Sequence, residues 1–232
     1  MLRKTIQGLC LTGALLSLNS HAALPDNIQL QRDTLRTLTM TLQGQAEGLP
    51  QSQRTRLRHS IEQLEITLAT DYPRALRSAL SALDNHRALT SEEMDLLYQS
   101  AIESLASLHQ PAADTFYMSL LMTEYLTMRY AFNSYVGIPS DNSLTASRYY
   151  TANVTELLRL LDREMTKQLA NNTVTGLTAR WAMLHHAFSD MHEGWTRTRS
   201  GNPFAPIVVI LNANTLSDQL SDMLDAPVSA SQ

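Results

Sequence analysis

A chain of 232 residues with 44% hydrophobic side chains is long enough to bury its own core, as one domain or two tight halves. Its 18 basic and 22 acidic residues leave a net charge of −4 with no basic run, which argues against nucleic acid or an anionic membrane surface as a partner. A single cysteine excludes an intrachain disulfide and a multi-thiolate metal site.

The chain opens with a charged Met1-Leu2-Arg3-Lys4, a short apolar stretch from Gly8 to Leu18, and small residues up to Ala22-Ala23. This order predicts a secretory signal peptide over 1–22, cleaved before Ala23, with the apolar stretch too short for a spanning helix. Cys10 leaves with it, and losing Arg3 and Lys4 moves the net charge from −4 to −6. The compact signal and the absence of paired cysteines point to a bacterial periplasmic or secreted protein. The triplets Asn153-Val154-Thr155 and Asn171-Asn172-Thr173 are glycosylation acceptors only in a eukaryotic secretory pathway.

Eight helical segments follow in apolar spacing. The first runs from Asp26, read as its N-cap, through Ile28, Leu35, Leu38 and Leu42 to a break at Gly44–Gly48. The second begins near Pro50 and carries Leu57, Ile61, Leu64 and Leu68; its Arg54, Arg56, Arg58 and His59 form no single face and read as solvated surface. Pro73 opens a short third segment with Leu76, Leu80 and Leu83. Thr90-Ser91-Glu92-Glu93 has the form of a capping box and opens a fourth, ended by Pro111. The fifth, Phe116 to Val136, is apolar over most of its circumference and reads as a buried central helix. After a Gly137–Asn142 loop, the sixth carries Tyr150, Val154, Leu157, Leu161, Met165 and Leu169. The seventh carries Trp181, Leu184, Phe188, Met191 and Trp195 at 3-4-3-4 spacing, and the eighth Val209, Ala213, Leu216, Leu220 and Met223. Ile207–Leu211 has strand propensity, but the helical spacing runs through it. The reading is an all-α antiparallel bundle of seven to eight helices over 23–226, with a frayed tail at 227–232. Segments one to four and five to eight suggest two halves, although no residue-level repeat supports them.

Catalytic and cofactor motifs are missing: there is no glycine-rich phosphate loop, no G-x-S-x-G and no H-E-x-x-H. Two places combine polar groups with apolar faces. Arg129 falls among Tyr125, Met122, Phe132 and Val136 on the fifth helix, with Glu124 pointing away from it. A guanidinium there requires an anion. The anion is either a carboxylate of the sixth helix (Glu156, Asp162 or Glu164) or a small ligand held by Arg129 with the hydroxyls of Tyr125 and Tyr130. On the seventh helix His185 and His192 share one edge, two turns apart; His186, Asp190 and Glu193 share another. Imidazoles and carboxylates at such spacing are metal-ligand types, but histidines about 10 Å apart along a helix do not share one ion unaided.

The stretch Met122-Thr123-Glu124-Tyr125-Leu126-Thr127-Met128-Arg129 shares methionine and its final arginine with the arginine-rich helix of periplasmic input domains in bacterial nitrate sensors and pilus-type chemoreceptors. In general layout the chain resembles those domains, and the resemblance implies ligand binding. Three functions are expected, in this order: a non-enzymatic periplasmic small-anion-binding or sensor-accessory bundle, a scaffold for an envelope protein, and a metal carrier using His185 and His192. The sequence leaves the oligomeric state open.

Overall fold

The computed structural model describes residues 24–108, 115–137, 150, 153–170, 176–192 and 205–225. The proposed signal, most of the Gly137–Asn142 loop, Pro111, Trp195 and the 227–232 tail lie outside the described residues. Among these there are eight α-helices and no strand: α1 (Asp26–Glu47), α2 (Gln51–Thr67), α3 (Tyr72–Asp84), α4 (Ser91–Ser107), α5 (Thr115–Tyr135), α6 (Val154–Ala170), α7 (Leu177–Ser189) and α8 (Pro206–Asp225). The all-α expectation holds, and Ile207–Leu211 is helical. No helix among the described residues is long and apolar enough to cross a membrane.

Local signals set the helix ends. Thr90 and Glu93 form a complete capping box: the Thr90 hydroxyl accepts from the Glu93 N–H, and the Glu93 carboxylate accepts from the Thr90 N–H. Pro73 sits in the first turn of α3, where a missing N–H costs nothing. Asn153 caps α6, its Oδ1 accepting from the Glu156 N–H at 3.1 Å. Three expectations need correction. Tyr150, placed in the sixth segment, precedes α6, which begins at Val154. Asp26 is the first helical residue, with Pro25 as the N-cap. Gly44 lies inside α1 and not at a break; a Cβ there would come 2.9 Å from Leu49 Cδ1 and 3.2 Å from Leu83 Cδ2, so the small residue lets the α1–α2 connection fold back onto the helix. The chain leaves α1 at Gly48, at φ 78°.

The two-halves suggestion gains structural content. The helices of α1–α4 are 22, 17, 13 and 17 residues long, and those of α5–α8 are 21, 17, 13 and 20. In each four, the first helix packs on the other three, and the second and fourth each pack on the third. α3 and α7 share five buried positions, Tyr72, Leu76, Ala79, Ala82 and Leu83 against Leu177, Trp181, Leu184, Ala187 and Phe188; α3 buries Pro73 and Leu80 besides. The hub helices α1 and α5 lie side by side in the same direction. Arg36 meets Glu124, and eleven residues on in both helices Glu47 accepts from the Tyr135 hydroxyl at 2.7 Å.

Both hubs are buried over most of their circumference, and their buried hydroxyls turn back on their own helices. Thr34, Thr39 and Thr41 of α1, and Thr123 and Thr127 of α5, donate to carbonyls four residues earlier. The core joins both halves in one cluster of buried side chains that includes Leu35, Leu38, Tyr98, Tyr125, Phe132, Trp181 and Leu216.

Candidate functional site

The three residues expected to form an anion pocket go to three different neighbours. Arg129 is buried, and its Nη1 donates to the Tyr98 hydroxyl of α4 at 3.0 Å. The Tyr125 ring meets the Tyr150 ring edge-on at 5.3 Å, and the Tyr150 hydroxyl donates to Gln31 of α1 at 2.6 Å. The Tyr130 ring packs against Phe188 of α7 at 6.3 Å. The carboxylates expected to neutralise Arg129 are engaged elsewhere. Glu156 binds Arg159 at 2.7 Å, Glu164 binds Lys167 at 2.9 Å, and Asp162 accepts from the Trp181 indole at 3.1 Å. Arg129 thus belongs to the seam where α4 meets α5, alongside the stacked Tyr98 and Phe132 rings, 4.9 Å apart.

Where α5 meets α1 and α8 lies a charge cluster that the helix-by-helix reading did not anticipate. Glu124 is 2% exposed and faces α1 and α8. Its Oε1 accepts from Arg32 Nε at 3.2 Å, from Arg36 Nε at 2.6 Å and from the Ser217 hydroxyl. Asp218 completes the group, bound by Arg32 Nη2 at 2.6 Å and Arg36 Nη1 at 2.8 Å. Burial works against the charge of Arg36, but Glu124 and Asp218 outweigh it and raise its pKa. Two cations and two anions close on one another here, so the cluster is a joint between α1, α5 and α8.

On α7, Asp190 begins a 3-10 turn over Asp190–His192, so the α-helical phase relating His185 to later residues ends at Ser189. The His192 side chain and Glu193 lie outside the described residues. His185 Nε2 stands 4.0 Å from Asp162 Oδ1, a carboxylate on a neighbouring helix, and the His185 ring meets Trp181 at 5.7 Å. Among the described residues no three His, Cys, Asp or Glu side chains converge on one point.

Among the described residues, a groove able to receive a ligand lies elsewhere. A groove of about 620 Å³ runs between the first half of α1 and the second half of α2. Leu30, Leu64 and Leu108 supply its apolar floor; Asp33 and Gln29 stand on the α1 wall, and Ser60 and Gln63 on the α2 wall. Asp33 is flanked by Arg32 and Arg36, yet both arginines reach to Glu124 and Asp218 instead. The Asp33 carboxylate is left half-buried with one neutral donor, the Gln29 amide at 2.8 Å. Burial raises its pKa above 3.8; the Gln29 hydrogen bond and the two arginines oppose the rise without cancelling it.

The sign of this effect makes a testable difference. Folded Asp33 holds its proton more tightly than in the unfolded chain, so its contribution to stability falls as pH rises from below 3.8 through its folded value. Asp33→Asn is therefore expected to be at least as stable as the wild type at pH 7. Its advantage should shrink as both proteins are acidified through that window. Urea denaturation at several pH values measures it; a mutant less stable at pH 7 and equally stable at pH 3 would show that folded Asp33 is stabilised as the anion.

No signal in α1 alone marks Asp33 as special, because its character comes from where Arg32 and Arg36 turn and from α2 across the groove. Comparison with protein-family models, with curated proteins and with solved structures found no match for this chain.

Proposed function

We propose that the chain is an exported, non-enzymatic ligand-binding bundle of the bacterial periplasm, and that its ligand sits in the α1–α2 groove. The observation that carries this reading is the Asp33 carboxylate, held half out of water on the groove wall while the two arginines beside it serve the α1–α5–α8 joint. A carboxylate placed there costs folding energy that a solvated one does not, and such costs are typical of groups kept for binding. An apolar floor with a few polar groups on the walls is the usual make-up of a small-molecule site. The ligand site moves from the sequence-based choice, Arg129 with Tyr125 and Tyr130, because those three side chains engage α4, Tyr150 and α7. The scaffold alternative has less support: among the described residues the exposed large apolar side chains, Ile66, Leu96, Val208 and Leu211, are spread over three helices.

Native mass spectrometry of protein released from its own cell envelope tests both parts. The expected result is a chain beginning at Ala23, carrying a non-covalent small-molecule adduct. The adduct should be absent from Gln63→Trp, in which an exposed groove residue is replaced by one that fills the space. An unprocessed chain beginning at Met1 would rule out export, and an adduct retained by the filled variant would rule out the groove.

A further inference from the structure

The groove has more than one carboxylate on its α1 wall, and their spacing narrows the ligand class. This inference rests on the groove being the binding site. Asp26 and Asp33 both line it, with Leu30 between them. At about 100° and 1.5 Å per residue, positions 26, 30 and 33 fall within one narrow arc of α1, and the two carboxylates are about 10 Å apart along the axis. Arg32 and Arg36, the cations nearest Asp33 in sequence, are both turned to Glu124 and Asp218. The wall therefore presents anion, aliphatic side chain, anion, in a line, over a floor shared with Leu64.

We infer that the groove binds an aliphatic dication, an alkyl diamine or polyamine, with one ammonium on Asp33, the methylene chain along Leu30 and Leu64, and the second ammonium on Asp26. Ammonium groups suit this site better than quaternary cations. The lining offers hydrogen-bond acceptors, the side-chain oxygens of Gln63, Ser60 and Asn27, and its one ring is the His59 imidazole, with no Phe, Tyr or Trp face for a quaternary cation. The half-buried Asp33 anchors the ligand: pairing there replaces water that burial has already removed. Asp26 is exposed and lies at the rim, where an ion pair contributes less and selects for length and double charge. The volume of about 620 Å³ accommodates an extended chain of this kind with room to spare.

Isothermal titration of the wild-type protein with 1,6-diaminohexane, spermidine and hexylamine at low ionic strength tests the assignment. Saturable binding of both polycations is expected, with hexylamine weaker. Asp33→Asn should weaken all three by about tenfold or more. Asp26→Asn should weaken the diamine by about threefold and leave hexylamine unchanged. Gln63→Trp should abolish binding. Asparagine is isosteric in both cases, and thermal melting confirms the fold. Equal affinity of wild type and Asp33→Asn, or of diamine and monoamine, overturns the dication assignment. Lack of any amine binding, together with a native adduct lost in Gln63→Trp, would leave the groove as the site and show that its ligand is of another class. Amine binding undiminished in Gln63→Trp would remove both.

Discussion

Glu124→Gln is expected to destabilise the folded protein by about 3–5 kcal/mol, a substantial share of the roughly 5–15 kcal/mol available to a domain. The substitution keeps the shape of the side chain and removes its charge. In the wild type one carboxylate oxygen of Glu124 receives Arg32, Arg36 and Ser217. Arg32 has a side chain only 8% exposed, so with Glu124 neutral its remaining counter-charge is Asp218, itself 57% exposed and hydrated. The cost is that of a stranded buried cation, and it exceeds the net value of the ion pair. A second variant separates these terms. In Arg32→Met/Arg36→Met/Glu124→Leu no buried charge remains in this cluster, and Asp218 is returned to water. Stability should recover most of the way to wild type, because desolvation of three charged groups is no longer incurred. Urea denaturation of the three proteins gives the comparison. A single mutant with an unchanged midpoint would mean that water reaches the α1–α5–α8 joint, and a triple mutant weaker than the single one would make the charges net stabilising.

What was legible in the sequence, and what was not, follows from how far each signal reaches along the chain. Amphipathic spacing is local, so the stripes of Leu57, Ile61 and Leu64, of Leu157 and Leu161, and of Val209, Ala213, Leu216 and Leu220 all appear as buried faces. The Thr90–Glu93 capping box spans one turn and is present as read. The central position of α5 was visible in its all-round apolarity, with every side chain from Met118 to Phe132 buried. Glu124 was read only against its own helix, where it points away from Arg129; its partner Arg32 is 92 residues distant. A signal did exist on α1, since Arg32 stands between Ile28 and Leu35 at helical spacing, inside the stripe. The correspondence between the two sets of four helices was hidden for a different reason. It is carried by helix lengths and buried positions, which tolerate replacement of Leu76 by Trp181 or of Ala79 by Leu184 in the equivalent places. Arg129, by contrast, stands out in the sequence itself; its Nη1 donates to a phenol of α4 across the seam, and the α6 carboxylates bind Arg159, Lys167 and Trp181. The α1–α2 groove needs two helices at once, and neither α1 nor α2 betrays it alone.

Trp181→Ala should cost about 3–5 kcal/mol, the range for removing a large aromatic from a core that closes only in part around the space left. Trp181 is 5% exposed and lies on the buried face of α7 with Leu177, Leu184 and Phe188. Its ring packs edge-on to His185 and its indole N–H donates to Asp162 of α6, so it fastens α7 to α6 by both packing and a hydrogen bond. Trp181→Phe divides these contributions. Phenylalanine retains most of the apolar contact but donates no hydrogen bond, and Asp162, 47% exposed at its side chain, turns to water without being stranded. The loss should then be about 1 kcal/mol from the hydrogen bond, with a further part from the smaller ring. Leu76→Ala, at the equivalent place in α3 and fully buried, should cost about 2–5 kcal/mol and serves as the matched core deletion in the other half. Denaturation midpoints for the three variants decide the matter. If Trp181→Ala leaves the midpoint in place while Leu76→Ala lowers it, the face of α7 that carries Trp181 is open to solvent, and the second four-helix unit is not closed as described.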